Sequence, residues 1–161
     1  DQVREALDSS ELDPGLLEVE LVEQLFAQST IDLARRFHEL RFIGVKLTID
    51  DFGTGYSNFV QLHRHEFNTL KLDRRFVTPI GTDSEDAATC EAIATSIVQL
   101  ARSLNLKIVA EGIETEEQAR VMTKLQVDAM QGYLFARPVS AEQLEETITQ
   151  LEAPTNLRKC A

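Results

Sequence analysis

No apolar run in this sequence approaches the ~20 residues that span a bilayer, and the opening residues Asp1, Gln2, Val3, Arg4 and Glu5 lack the basic-then-apolar order of a signal segment. The expectation is therefore a cytoplasmic chain without a membrane span. Cysteine is equally scarce. Cys90 falls inside a helical pattern and Cys160 in the tail, without metal-ligand spacing and too far apart in sequence to imply a pair, so both are expected as reduced thiols. Cations are outnumbered, 16 Lys and Arg against 27 Asp and Glu, and the net charge of −11 argues against a DNA or RNA surface, which needs clustered basic residues. What is present is a soluble globular composition, 43% hydrophobic and 27% charged over 161 residues, with one domain as the default. The carboxylate excess suits bound metal ions as local help for an anionic ligand, although acidity also serves solubility alone.

Short β-rich runs alternate with longer amphipathic ones. The expected strands are Leu17 to Val22, Ile43 to Ile49, Thr69 to Leu72, Lys107 to Ala110 and Gly132 to Phe135. Between them, Ser29 and Asp32 open a helix carrying Leu33, Phe37 and Leu40 on one face. Asp83, Ser84 and Asp86 open the longest helix, with Ile93, Ile97, Leu100 and Leu104 inward. Thr115 with Gln118 opens a third, with Ala119, Met122 and Leu125 inward, and Ser140 with Gln143 a fourth, with Leu144, Ile148 and Leu151 inward. Five strand-and-helix units imply parallel pairing and an α/β class. An open doubly wound sheet and a barrel share this local pattern. Residues 154–161 form a polar tail after a domain over residues 1–153.

Acids recur where strands end: Glu20 and Glu23, Asp50 and Asp51, Asp73, Glu111 and Glu114. In parallel α/β folds that rim is where sites form. Carboxylate oxygens are hard ligands suited to Mg²⁺, Mn²⁺ or Ca²⁺, and no Cys or His cluster favours zinc. A pair of divalent ions would relieve the repulsion, activate a water and hold a phosphodiester for in-line attack. Each acid taken singly reads first as a helix cap or a solvated loop residue, and only the joint pattern points to a site; Glu114 is the most ambiguous, since it precedes Thr115 and could serve the helix dipole. Asp50, Asp51, Phe52, Gly53, Thr54, Gly55 and Tyr56 carry two acids from an apolar strand into a glycine loop, or else form a tight structural turn. Lys71, between Leu70 and Leu72, needs acidic partners or a substrate phosphate unless it snorkels from a surface strand. Gln131 reads either as a ligand contact or as a partner for backbone groups at the entrance of the last strand. His38, His63 and His65 lie away from strand ends and read as surface or packing residues.

Leu17 to Glu23, Asp50 to Ser57, Leu70 to Asp73, Ala110 to Glu114 and Gln131 to Phe135, taken in this order, resemble an EAL domain, the bacterial cyclic di-GMP phosphodiesterase module. The resemblance implies a (β/α)₈ TIM-type barrel, of which about five of eight strand-helix units are present, that hydrolyses cyclic di-GMP to linear pGpG with two Mg²⁺ or Mn²⁺ ions. By position it implies Glu20, Asp50, Asp51 and Glu111 as metal ligands, with Asp50 bridging. Glu111 is also implied as general base, Lys71 as orienting the water or phosphate, and Gln131 as support. Glu23 would anchor the Asp51 to Ser57 loop, and Asp73 and Glu114 would have substrate or supporting roles. The family's threonine before that anchor is Val22 here. Its Glu-Ala-Leu segment and a metal-binding asparagine would lie upstream of Asp1, so the 161-residue chain alone is expected to be inactive and to self-associate, with a sensory or GGDEF domain as a possible upstream neighbour. A non-catalytic cyclic di-GMP receptor or interaction module is the second reading. A phosphoacceptor receiver domain fits poorly, because Phe52 to Leu70 contains no acceptor aspartate.

Overall fold

The computed structural model describes residues 2–23, 31–53 and 67–152, with only the backbone of Ile31. Ser29, the loop from Thr54 to Ser57, His63, His65 and the tail from Pro154 therefore lie outside the described residues. The chain divides into two compact units, residues 1–71 with 101–107 and residues 72–100 with 108–161.

In the first unit, helix α1 (Gln2–Ser10) is followed by a 3₁₀ turn at Pro14–Leu16. Asp13 caps that turn by accepting a hydrogen bond from the Gly15 amide at 2.9 Å, with proline at the first position, where its missing N–H costs nothing. Strand β1 (Glu18–Val22) comes next, then α2 (Ile31–Phe42), which buries Phe37. The second strand was expected from Ile43, but β2 spans Lys46–Phe52. The amides of Ile43, Gly44 and Val45 donate back to Glu39, Arg41 and Leu40, so these residues close α2, and Gly44 supplies the left-handed φ of +99° that the closure requires. β1 and β2 pair in parallel with Glu20 opposite Thr48 and Val22 opposite Asp50. β3 (Thr69–Leu72) is buried throughout. Its register is pinned at Asn68, whose amide donates to the Leu47 carbonyl at 2.9 Å while its side-chain oxygen accepts from the Leu47 amide at 3.0 Å.

In the second unit, the short helix α3 (Arg74–Val77) precedes α4 (Ala87–Ser103), the longest helix. Its buried face is Ala94, Ile97, Val98 and Ala101, so the stripe is rotated from the expected one and Ile93 is exposed. β4 (Lys107–Glu111) leads to α5 (Glu116–Leu125), whose Thr115 and Gln118 form the expected reciprocal capping box. Ala119 and Met122 are buried as expected. The last strand, β5, is Ala129–Gln131, and Gly132 to Phe135, expected as strand, is a turn. The reason is steric: a Cβ at Gly132 would overlap the Ile113 backbone, and Leu134 and Phe135 use their amides on the Ile113 and Gly132 carbonyls instead of a ladder. β4 and β5 are parallel, with Glu111 opposite Gln131. Asp128 pins this pair as Asn68 pins β3, its amide donating to the Ile108 carbonyl and its carboxylate accepting from the Ile108 amide at 2.8 Å. In α6 (Ala141–Glu152), Leu144 and Ile148 are exposed rather than inward. Periodicity marks which face is apolar, not what covers it.

The strand order is that of the chain, β1-β2-β3-β4-β5, as expected for parallel strands joined by helical crossovers. Among the described residues no helix is long and apolar enough to cross a membrane.

Candidate active site

Strand alternation fixes which side chains meet. On β2, Leu47 and Ile49 are fully buried on one face, which sends Thr48 and Asp50 to the other. Lys71 shares that second environment: its ammonium lies 2.9 Å from a Glu20 carboxylate oxygen and 3.1 Å from Asp50 Oδ1. The lysine side chain is only 9% exposed, so its charge is held by these acids rather than by water. Asp50 Oδ1 also accepts the Asp51 amide at 3.1 Å. Asp51 sits at φ +55°, a left-handed conformation that a short polar side chain tolerates, and it breaks the strand's alternation. As a result Asp50 and Asp51, adjacent in sequence, each bring a carboxylate oxygen within 4.8 Å of the other.

Glu23 is 1% exposed and accepts the Gly53 amide at 2.9 Å, where Gly53 adopts φ +92°. This contact ties the residue after β1 to the residue after β2.

In the second unit, Glu111 is the last residue of β4 and half-buried, beside Gln131 in register. Gln131 was expected at the entrance of the last strand; because β5 ends there, it belongs to the carboxyl end, where ligands bind in this class of sheet. Asp73 is buried and caps α3, accepting from the Arg75 amide at 2.7 Å and from Arg75 Nε at 3.1 Å, so its carboxylate supports the chain turn after β3. Glu114 is exposed, and its amide donates to the Gln118 side chain at 2.8 Å. His38 is exposed, in keeping with its expected surface role.

Two features escaped the sequence. Glu18 and Thr48 form a short hydrogen bond two residues below the Glu20 and Asp50 level. Thr48 first, then Thr69 and the charges of Lys46 and Lys107, hold the Glu18 carboxyl below its ordinary value, against partial desolvation. The second is the Arg137 guanidinium, 4.6 Å from the centre of the exposed Tyr133 ring. The only sequence signal for either was position next to a strand end.

The donors fit a divalent cation. They are hard oxygens on separate elements, and Glu20 and Asp50 already converge on one cationic group, the Lys71 ammonium. The EAL domain family model matches residues 1–138. The chain belongs to the EAL domain family. The bifunctional diguanylate cyclase/cyclic di-GMP phosphodiesterase MucR of Pseudomonas aeruginosa is 44% identical over 144 residues, 89% of this chain and 20% of MucR. The cyclic di-GMP phosphodiesterase NbdA of the same organism is 39% identical over 91% of the chain and 18% of its own length. This EAL domain sequence thus spans about a fifth of these curated relatives. The MucR phosphodiesterase solved in complex with c-di-GMP superposes with a TM-score of 0.83 at 42% identity, covering 89% of this chain and 57% of that one. BlrP1 of Klebsiella pneumoniae, solved with manganese and c-di-GMP and also with calcium and c-di-GMP, gives 0.76 at 31%, covering 85% of this chain and 34% of that one. The α/β class and its assignment to the EAL barrel type follow from these matches.

Proposed function

We propose that this EAL domain hydrolyses cyclic di-GMP to linear pGpG with two Mg²⁺ or Mn²⁺ ions. The observation that carries the reading is the convergence of Glu20, in the middle of β1, and Asp50, towards the end of β2, on one cationic group, with an Asp51 oxygen close to Asp50. The named activity of MucR and NbdA, and the manganese and calcium complexes of BlrP1, supply the substrate and the metal class.

Glu20, Asp50, Asp51 and Glu111 would hold the ions. When bound, these supply positive charge to the phosphate oxygens and lower the pKa of a nearby water. Glu111 accepts the proton of the attacking water, and Gln131, its register neighbour, orients that carboxylate. Lys71 would place its ammonium against the phosphate. Attack forms one P–O bond as the bond to the 3′ oxygen breaks, and the leaving oxygen gains a proton to give pGpG. Glu23 keeps the Asp51 backbone in place through Gly53. Asp73 and Glu114 act as supports for the chain around the site. Self-association through open apolar side chains such as Leu144 and Ile148, a cytoplasmic setting and an attached sensory or GGDEF domain complete the proposal.

The test is chromatographic separation of pGpG from c-di-GMP after incubation with Mn²⁺ or with a chelator, beside Mn²⁺ titration followed by electron paramagnetic resonance. Metal-dependent pGpG formation is expected of the EAL domain completed by its upstream Glu-Ala-Leu segment, and little or none of the 161-residue chain alone. Tight c-di-GMP binding without turnover, in a protein that binds Mn²⁺, would favour the receptor reading instead.

A further inference from the structure

The turn after β5 is fixed by its backbone. The Ile113 amide donates to the Gln131 carbonyl at 3.1 Å and the Leu134 amide to the Ile113 carbonyl at 3.0 Å. Phe135 and Ala136 both donate to the Gly132 carbonyl, at 3.1 and 3.4 Å. A side chain at Gly132 would collide with Ile113, so the turn lies flush against the loop that leaves β4 two residues after Glu111. Leu134 and Phe135 are half-buried by this arrangement, whereas Tyr133 is 54% exposed. Its ring does not lie loose: Arg137 stacks its guanidinium over one face at 4.6 Å. An aromatic plate is thus held open to solvent on a tied backbone, beside the strand ends that carry Glu111 and Gln131.

A phosphodiester of two guanosines offers more than phosphate. Purine faces stack on aromatic side chains, and this gain is available at any exposed ring whose backbone is already ordered. The cation also counts in a chain of net charge −11, where an anionic ligand meets mostly repulsion. We propose that Tyr133 and Arg137 form a base platform, on which one guanine of the substrate stacks against the ring face opposite the guanidinium. Arg137 is a positioning residue that fixes the ring and adds positive charge; Tyr133 makes the contact. The proposal rests on the phosphodiesterase reading for the identity of the base.

Two substrates separate the platform from the chemistry. Tyr133→Ala should raise KM for c-di-GMP about tenfold with kcat within about twofold, from the stacking energy of one base. Hydrolysis of bis(p-nitrophenyl) phosphate, a phosphodiester without a purine, should be unchanged, and Tyr133→Phe should behave as wild type. Equal losses on both substrates, or an unchanged KM for c-di-GMP, would overturn the platform. Failure of the EAL domain completed by its upstream segment to cleave either substrate with Mn²⁺ would instead count against the phosphodiesterase reading. The platform is then decided by fluorine NMR of the protein labelled with meta-fluorotyrosine, which has two tyrosines, Tyr56 and Tyr133. Added c-di-GMP should shift the resonance that Tyr133→Phe removes, and ribose 5-phosphate should not; no shift of that resonance refutes the contact.

Discussion

Two layers of polar side chains lie on the same face of the same three strands, two residues apart, and they are built in opposite ways. In the lower layer, Glu18 is met by the neutral hydroxyls of Thr48 and Thr69. In the upper layer, Glu20 and Asp50 converge on the single ammonium of Lys71. The single Glu18 carboxylate also feels the positive charges of Lys46 and Lys107, which leave it no excess of negative charge to attract a further ion. Two carboxylates sharing one monovalent cation retain an excess of negative charge, and a divalent ion relieves it. The lower layer therefore suits framework and the upper layer the proposed metal chemistry, although a list of acids at strand positions does not distinguish them.

The largest effect should come from the upper layer. Asp50→Asn preserves size but removes the charge that faces both Lys71 and the proposed ions. Turnover of c-di-GMP should fall at least ~1,000-fold, as several kcal/mol of transition-state stabilisation are lost, and Mn²⁺ affinity should fall with it. The thermal midpoint should change little, since Glu20 still pairs with Lys71. Near-normal hydrolysis by a folded variant would place the metal chemistry elsewhere.

Glu23 comes next because it acts through a backbone. Glu23→Ala removes the acceptor for the Gly53 amide, which frees the left-handed Asp51 and Gly53 pair to relax. Mn²⁺ affinity should weaken by about tenfold, in the range seen for groups that orient metal ligands, with the fold retained. Gly53→Ala strains the same φ of +92°, so the two effects should overlap. Full additivity in a double-mutant cycle would show that anchor and loop are independent.

How far the sequence carried the reading can be traced through particular residues. Spacing alone placed Asp50, Asp51 and Glu111 near strand ends and found the α5 capping box, because a helix start and an apolar run are local facts, whereas Glu20 is the middle residue of β1. The EAL resemblance then assigned the acids roles. The extent of β5 was not local. Gly132 reads as a tolerable strand residue until Ile113, a distant residue, is seen to fill the space of its Cβ. Asp73 was expected in a substrate or supporting role, and the structure shows its carboxylate capping α3. Leu144 and Ile148 were expected inward because periodicity reports a face and not its neighbour.

The register clamps of the two units give a smaller test of framework against chemistry. Asn68 and Asp128 make the same paired contacts, to Leu47 and Ile108 respectively, one through an amide and the other through a charged oxygen. Replacing either with alanine leaves a strand amide without its side-chain acceptor, at a cost of ~1–2 kcal/mol, with Asp128→Ala the larger because its bond is charge-assisted. Denaturant midpoints should fall in that order while Mn²⁺ affinity stays within error. A loss of metal affinity with unchanged stability would reverse the assignment.

The smallest effect tests the lower layer by pH. Thr48 is 1% exposed, and its hydroxyl is the main reason the Glu18 carboxyl titrates below its ordinary value. A pKa lowered in the folded state means that the unfolded chain binds the proton more readily. The contribution to stability is therefore fully present above the unfolded value, ~4.3, and disappears as pH falls through the lowered folded value. Because Glu18 is largely open to solvent, the contribution should be only ~0.5 kcal/mol at neutral pH. Thr48→Val keeps the shape and deletes the donor. Its stability deficit, read from thermal melts across the acidic range, should shrink towards zero below the Glu18 titration, and the Mn²⁺ affinity of the upper layer should not follow it. A deficit that stays constant with pH would mean that the hydroxyl matters for packing and not for the charge on Glu18.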